Sequence, residues 1–233
     1  MKIVVTGGLG FIGSHTVVEL QNEGFEVVII DNLSNSSREV LEGIEAITSV
    51  LPIFEELDLR EKQSVQQFFK KYSDISAVIH FAASKAVGES VEDPLLYYEN
   101  NINTLVYVLQ ELQKKPAAQF IFSSSCTVYG QAEIMPITEN ASIQTAMSPY
   151  GNTKQIGEEI ITDVARVSNI TAILLRYFNP IGAHPTAHIG ELPMGVPQNL
   201  VPFITQTGIG MRQELSVYGD DYPTSDGTCV RDY

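Results

Sequence analysis

The chain has 233 residues, of which 44% are hydrophobic and 18% charged, and this is the composition of a folded globular protein. Its length allows one large domain, or one domain and part of a second. The formal net charge of -14 argues against binding to nucleic acid, which depends on lysines and arginines that neutralise phosphates.

The sequence also lacks signals for a membrane or a metal. The first apolar run, Ile3 to Val5, is too short for a secretory signal, and no apolar run approaches the length of a membrane span. Cys126 and Cys229 are far apart and have neither zinc nor disulfide spacing. We therefore expect a cytoplasmic protein without a metal site or a membrane partner.

Short β-branched runs alternate with amphipathic stretches along the first three quarters of the chain, as in βαβ units around a parallel sheet. Strands are predicted at 2–6, 25–31, 52–57, 76–83, 118–124 and 170–177, and helices at 11–23, 38–48, 61–72, 94–115 and 149–167. Pro94 and Pro149 suit the first turn of a helix, and Ser148 suits the N-cap of the last one.

Glycine and proline become frequent after residue 178, where the pattern predicts irregular structure with one helix near 198–208. The predicted fold is α/β, a Rossmann-type doubly wound parallel sheet. We assign residues 1–177 to a dinucleotide-binding domain and 178–233 to part of a smaller substrate-binding domain.

A glycine-rich turn follows the first predicted strand and opens the first helix, with Gly7, Gly10 and Gly13 in GxxGxxG spacing. Glycines there let backbone N–H groups approach a pyrophosphate at the positive end of the helix. Asp31 ends the second strand, where a carboxylate accepts hydrogen bonds from ribose hydroxyls and repels a 2′-phosphate. The pattern predicts NAD rather than NADP, although Arg38 leaves NADP open.

Tyr150 and Lys154 lie four residues apart on a predicted helix, so their side chains share one face. A phenol titrates near pH 10, and a neighbouring cation such as Lys154 would stabilise its ionised form. Ser123, Ser124 and Ser125 end the fifth strand, at the edge where doubly wound sheets bind ligands. We expect Tyr150 to act as the base, with Ser125 orienting the proton.

These motifs together resemble the extended short-chain dehydrogenase/reductase superfamily. Longer segments narrow the resemblance to its UDP-glucose 4-epimerase family: 81–90 (FAASKAVGES), 122–130 (FSSSCTVYG), 148–151 (SPYG) and 175–185 (LRYFNPIGAHP). The likeness extends from Met1 to Tyr233. Family members normally continue beyond the Arg-Asp-Tyr at 231–233, so the resemblance implies a chain truncated at its C-terminus.

The resemblance implies a set of residues that contact NAD. They are Gly7, Gly10, Phe11, Ile12, Gly13, Asp31, Asn32, Asn35, Ser36, Asp58, Leu59, Phe81, Ala82, Lys85, Asn100, Ser123, Tyr150, Lys154 and Tyr177. It implies a second set that contacts the nucleotide sugar. They are Ser125, Tyr150, Asn179, Asn199, Leu200, Tyr218 and Arg231.

The activity implied by the resemblance is an isomerase of galactose metabolism that exchanges UDP-galactose and UDP-glucose. Tyr150, assisted by Ser125, would take the proton of the sugar 4-hydroxyl while hydride passes to tightly bound NAD. Lys154 would lower the pKa of the tyrosine and hold the nicotinamide ribose. The 4-keto sugar would then turn and take the hydride back on its other face. Paired helices 94–115 and 149–167 would form a homodimer.

Three alternatives stay open. Another nucleotide-sugar enzyme of the superfamily, a 4,6-dehydratase or a reductase, is one. Dehydratases carry an acidic pair just after the strand-end hydroxyl, where this chain has Cys126 and Thr127. A non-catalytic NAD-sensing module is the second, against which Tyr150 and Lys154 count. An inactive, truncated NAD-binding fragment is the third.

Overall fold

A computed structural model describes residues 1–131 and 134–230. Its strands are β1 (Lys2–Thr6), β2 (Glu26–Asp31), β3 (Ile53–Glu56), β4 (Ile75–His80), β5 (Ala118–Ser125) and β6 (Ile170–Tyr177). Its helices are α1 (Phe11–Asn22), α2 (Glu39–Thr48), α3 (Lys62–Lys71), α4 (Val87–Glu92), α5 (Pro94–Leu112), α6 (Pro149–Val167) and α7 (Leu200–Gly208), with a short 3-10 helix at Cys126–Tyr129.

The six strands form one parallel sheet in the order β3-β2-β1-β4-β5-β6. The chain therefore starts in the middle of the sheet, winds outward through β3, and crosses back to β4 beside β1. This is the strand order of the dinucleotide-binding doubly wound fold, and the switch of direction lies between β1 and β4. The predicted Rossmann-type α/β fold is confirmed.

Two apolar layers cover the sheet, one on each face. Val4, Val78 and Phe120 belong to a layer that packs against α3, α5 and α6, and Val5 and Ile29 belong to a layer that packs against α1 and α2. Because successive side chains of a strand point to opposite faces, strands buried on both sides are apolar along their whole length. That continuous apolar pattern is what the sequence shows.

The predicted helix starts are found where capping chemistry placed them. Pro94 and Pro149 occupy the first turns of α5 and α6. Ser148 is the N-cap of α6, and its Oγ accepts a hydrogen bond from the Gly151 N–H at 3.1 Å. This cap satisfies one of the backbone donors that a helix leaves free at its start.

The sequence pattern missed α4, whose six residues are too few to show a helical period. It also extended β4 to residue 83, whereas the strand ends at His80. Phe81 still donates its N–H to the Thr6 carbonyl at 3.0 Å, and the chain then turns into a loop over the glycine-rich turn. The irregular structure predicted after residue 178 is confirmed, and Ile189 from this segment is buried against the layer that holds α1 and α2.

No helix within residues 1–131 and 134–230 is both long enough and apolar enough to cross a membrane.

We expect Gly13→Ala to destabilise the protein. A Cβ at residue 13 would lie 2.2 Å from the Gly7 carbonyl oxygen and 2.8 Å from the Gly8 Cα, both of which are backbone atoms that cannot rotate away. Overpacking of this kind costs about 1–3 kcal/mol in the free energy of unfolding, which denaturant titration measures. Gly208→Ala is the matched control, because a Cβ there meets nothing within 4 Å. Equal stability of the two variants would contradict the close approach.

Candidate active site

The carboxyl ends of the parallel strands meet at one edge of the sheet. Thr6, Asp31, His80, Ser125 and Tyr177 are the last residues of β1, β2, β4, β5 and β6. The loops that follow these strands therefore share one side of the molecule. This places the glycine-rich turn, the acidic strand end and the serine-rich strand end along one edge of the sheet, as the sequence predicted.

The glycine-rich turn at Gly7 to Gly13 lies directly beneath the loop that follows β4. Gly7 has a φ of +66°, and a Cβ there would lie 2.9 Å from the Ala82 nitrogen. Helix α1 begins at Phe11 after Gly10, which offers no side-chain cap, so its first N–H groups point out of the turn without one. An uncapped helix start beside closely packed backbone is suited to the diphosphate of a dinucleotide.

Asp31, the last residue of β2, is an acidic residue of the predicted cofactor site. It is buried, and its Oδ2 accepts the Leu9 N–H at 3.1 Å. Its Oδ1 accepts the Leu33 N–H at 3.0 Å and the Ser36 hydroxyl at 2.8 Å. These bonds fix the carboxylate beside the glycine-rich turn, and Oδ2, which accepts only one of them, keeps a second lone pair for a ribose hydroxyl.

Arg38, which left NADP open in the sequence, forms an ion pair with Glu56 and lies over the Phe54 ring, 5.2 Å from its centroid. Its guanidinium is therefore already engaged by a carboxylate on β3. With Asp31 fixed at the ribose position, the geometry favours NAD.

Other residues predicted to contact NAD fall into two groups. Asn32 and Asp58 lie together, with Asn32 Nδ2 donating to Asp58 Oδ2 at 3.4 Å, and Asn35 is exposed nearby in sequence. Asn100 donates to the Ser84 hydroxyl at 2.8 Å, on the loop after β4. The Leu59 side chain instead belongs to the hydrophobic core, so any contact with NAD would have to come from its backbone.

Tyr150 and Lys154 lie on the first turns of α6 and face the end of β5. Lys154 Nζ donates to the Ser123 carbonyl at 2.7 Å and lies 5.7 Å from the centroid of the Tyr150 ring. The Ser125 hydroxyl lies close enough to the Tyr150 phenol to lower its pKa. The structure thus brings together the three side chains to which the sequence assigned catalysis.

Burial dominates the electrostatics of these two groups. It raises the pKa of Tyr150 above its ordinary value although the Ser125 hydroxyl acts in the opposite direction, and Cys126 adds to the rise. It lowers the pKa of Lys154 from 10.5 to about 8. The lowered pKa that we predicted for Tyr150 is therefore not found in the protein alone, because the loss of hydration at the phenol outweighs the stabilising contacts.

His80 lies beneath this site and stays neutral. Burial, followed by the nearby charge of Lys154, lowers the pKa of His80 to about 3. Its Nδ1 is 2.9 Å from the Thr6 hydroxyl, whose oxygen also accepts the Ala82 N–H at 3.3 Å. His80 therefore ties β4 to β1 at the switch of strand direction without adding a charge beside Lys154.

The predicted sugar-binding residues are more dispersed. Ser125 lies opposite Tyr177 in the β5–β6 register, and Asn179 follows two residues later. Asn199 and Leu200 lie at the start of α7, where the Asn199 amide donates to Glu191, and Tyr218 is 87% exposed. Arg231 lies outside the described residues. Ser125 and Asn179 thus lie at the neighbouring ends of β5 and β6, whereas Asn199, Leu200 and Tyr218 lie on the segment that follows.

Sequence analysis missed Asn101, a buried side chain that links three parts of the site. Its Oδ1 accepts the Ser84 N–H at 2.8 Å, and its Nδ2 donates to the Ser84 carbonyl and to the Thr153 hydroxyl, each at 3.0 Å. It joins α5 to the loop after β4 and to the residue that precedes Lys154. The signal was weak, since asparagine within a helix has no spacing that marks it.

The family model described as the NAD dependent epimerase/dehydratase family matches residues 3–233. The chain belongs to this family. The UDP-glucose 4-epimerase of Bacillus subtilis (strain 168) is 50% identical over 234 residues, covering 100% of this chain and 68% of that relative. The UDP-glucose 4-epimerase of Haemophilus influenzae is 49% identical, covering 100% of this chain and 69% of the relative.

Solved structures agree with the family. A UDP-glucose 4-epimerase from Stenotrophomonas maltophila, described with bound NAD and formylated UDP-arabinopyranose, has a TM-score of 0.94 at 47% identity and is covered over 69% of its length. One from Bifidobacterium longum, in complex with NAD+ and UDP, has a TM-score of 0.95 at 44% identity and is covered over 70%. Both matches include 100% of this chain. The predicted resemblance and the predicted NAD cofactor are confirmed.

We expect the buried charge of Lys154 to make stability depend on pH. Its pKa is about 8 in the folded protein and 10.5 ordinarily, so between these values the unfolded chain binds more protons and the free energy of unfolding rises with pH. Urea titrations across this range should show the rise in the wild type and its loss in Lys154→Met. Lys62→Met, which removes an exposed lysine of α3, controls for a lost surface charge. A wild-type slope that survives in Lys154→Met would contradict the assignment.

Proposed function

We propose that this chain exchanges UDP-galactose and UDP-glucose by inverting the sugar at C4, with NAD retained during the reaction. The observation that carries the proposal is the meeting of Tyr150, Lys154 and Ser125 at the sheet edge beside the uncapped start of α1. Support also comes from relatives that are UDP-glucose 4-epimerases at about half identity along the full chain.

The residues present fit NAD. The turn at Gly7 to Gly13 leaves no room for a Cβ at Gly7 or Gly13 and offers the first N–H groups of α1 to the diphosphate. Asp31 supplies the carboxylate for the adenine ribose, with Asn32, Asn35, Ser36 and Asp58 around it. When bound, NAD would accept hydride from C4 of the sugar and afterwards donate it back.

Tyr150 moves the proton of the sugar 4-hydroxyl in this proposal. Ser125 orients it, because its hydroxyl lies beside the Tyr150 phenol. Lys154 is mostly protonated near neutral pH at a pKa of about 8, so a cation faces the phenol as it ionises. Removing a proton from O4 and hydride from C4 leaves a 4-keto sugar, which can present its other face before the proton and hydride return.

The nucleotide and sugar would be held by Asn179, Asn199, Leu200, Tyr218 and Arg231. An aromatic ring beside the uracil and a cation on the diphosphate match the chemistry of that ligand. In this proposal residues 1–177 hold NAD and residues 178–233 contribute to the substrate side. Glu191 connects the two sides, since its Oε1 is 3.8 Å from Lys85 Nζ and accepts the Asn199 amide.

Dehydratase chemistry is disfavoured at the same site. Cys126 and Thr127 begin the 3-10 helix directly after Ser125, at the position where the elimination of water needs an acid and a base. Neither side chain is a carboxylate. A tyrosine, a lysine and a serine suffice for proton transfer at O4, which is the proton chemistry that epimerisation requires.

Conversion of UDP-galactose to UDP-glucose by the purified chain without added NAD tests the function. Tyr150→Phe should lower kcat by about 10²–10⁴-fold because it removes the base, while the NAD released on denaturation stays equal to the wild type. Tyr72→Phe is the matched control, because Tyr72 contacts Glu55 on β3, away from Ser125.

Three results would reject this function. They are a wild-type protein with neither conversion nor cofactor, a Tyr150→Phe variant with full turnover, and net consumption of added NADH. The last would identify a reductase, and a product that has lost water would identify a dehydratase.

We propose a homodimer built on α5 and α6, in a cytoplasmic protein. The two helices have 19 residues each and lie side by side, with Asn152 donating to the Tyr98 hydroxyl at 2.7 Å. Light scattering should give about twice the chain mass of 25.6 kDa. A mass of one chain at all concentrations would reject the dimer.

A further inference from the structure

Glu158 and Arg176 form a buried ion pair that the proposed chemistry does not use. Glu158 is 4% exposed. Arg176 donates to both of its carboxylate oxygens, from Nε to Oε1 at 2.9 Å and from Nη2 to Oε2 at 2.6 Å. Ser124 Oγ donates to the same Oε1 at 2.5 Å. One carboxylate from α6 thus holds a side chain of β6 and a side chain of β5.

The pair lies one residue away from the active strand end. Ser124 and Arg176 are direct partners in the β5–β6 register, and the next pair in the ladder is Ser125 and Tyr177. Whatever fixes Ser124 against Arg176 therefore also fixes the strand position of Ser125. A slip at this point would move the hydroxyl that meets the Tyr150 phenol.

The same carboxylate fixes the rotation of α6. Tyr150, Lys154 and Glu158 are spaced by four residues, so they lie along one face of the helix. Lys154 bonds the Ser123 carbonyl, and Glu158 bonds the Ser124 hydroxyl. Two successive turns of α6 are therefore attached to two successive residues of β5, which holds Tyr150 over the third.

Arg176 is itself held from a further side. Its Nη1 donates to the Tyr129 hydroxyl at 3.1 Å, and its guanidinium lies 4.9 Å from the centroid of the Tyr129 ring. Tyr129 ends the 3-10 helix that begins right after Ser125. A buried ion pair is weak evidence for stability, because well-packed apolar residues often replace one without loss. Its strict geometry is the property that an apolar pair would not supply.

We propose that Glu158 and Arg176 are positioning residues for the proposed epimerisation: by locking the ends of β5 and β6 to α6, they set the Ser125 hydroxyl against the Tyr150 phenol. The inference rests on the proposed function, in which those two hydroxyls act together. Neither Glu158 nor Arg176 needs to touch the substrate.

Steady-state kinetics of Glu158→Gln and Ser124→Ala test the proposal. Both should lower kcat by about 10–100-fold and change KM by less than about threefold, because small misplacements slow chemistry more than binding. Ser124→Ala keeps the ion pair and removes only the hydrogen bond from β5 to Glu158. If Glu158→Gln does not fold, the kinetics of Ser124→Ala alone test the positioning role. Asp163→Asn is the matched control, as Asp163 pairs with Arg166 on the exposed side of the same helix.

A second measurement needs no activity. The Tyr150 phenol can be titrated by NMR with tyrosine labelled at Cζ, and Tyr150→Phe assigns its signal. The neighbouring Ser125 hydroxyl lowers the pKa of Tyr150, so its displacement should raise that pKa in Glu158→Gln and Ser124→Ala. The charged and titratable groups around the phenol, Lys154 on α6, Cys126 on the 3-10 helix and Tyr97 on α5, are the same in all the proteins.

The outcomes separate the two proposals. Folded variants with wild-type kcat and an unmoved Tyr150 signal would overturn the positioning role, even if their stability fell. An inactive wild type whose Tyr150 signal still moves in both variants would reject the epimerase function and keep the positioning role. The positioning role is supported if both variants show a lowered kcat and a shifted Tyr150 signal while Asp163→Asn shows neither.

Discussion

The contact between the end of β1 and the start of the loop after β4 is the constraint on which the rest of the site depends. The Thr6 carbonyl accepts the Phe81 N–H, the Thr6 hydroxyl accepts the Ala82 N–H, and His80 bonds the same hydroxyl. This ties together the two strands at which the sheet reverses its winding. The approach is so close that Gly7 has no room for a Cβ. The glycine-rich turn therefore takes its shape from β4 as much as from its own glycines.

A second constraint is electrostatic. Burial raises the pKa of the Tyr150 phenol and lowers that of the Lys154 ammonium, so each group alone is driven toward its neutral form. Lys154 still carries its charge near neutral pH, and its attraction for a phenolate grows as water is excluded, so the phenol has a cationic neighbour when it ionises.

The strands, the glycine-rich turn and the start of α6 were predictable from short-range sequence patterns. Alternating apolar runs indicated every strand, the glycine spacing indicated the turn, and Ser148 with Pro149 indicated where α6 begins, because each is a rule about neighbouring residues. Contacts between distant segments left no such mark. The hydrogen bonds of Asn101 with Ser84 and Thr153 join residues up to 52 positions apart in the sequence. Those of Arg176 with Glu158 join residues 18 positions apart.

The spacing of residues along α6 contained a weaker signal for Glu158. Glu158 follows Lys154 by four residues, as Lys154 follows Tyr150, so the shared helix face could have indicated a third functional side chain. What the spacing could not give is the partner, since Arg176 meets Glu158 only after β6 has paired with β5. The energetic balance at Tyr150 was equally hidden. It depends on how much water the whole fold excludes from the phenol, and a four-residue spacing carries no information about that.

The residues predicted to contact the cofactor and those predicted to contact the sugar differ in how deeply they are buried. The predicted NAD contacts cluster at the ends of buried strands, where Asp31 and Lys154 are held by several hydrogen bonds or by burial. The predicted sugar contacts beyond Asn179 lie on an irregular segment where Tyr218 and Leu200 are exposed. Because Glu191 joins Lys85 to Asn199 across the two parts, a sugar that draws on Asn199 must compete with that carboxylate.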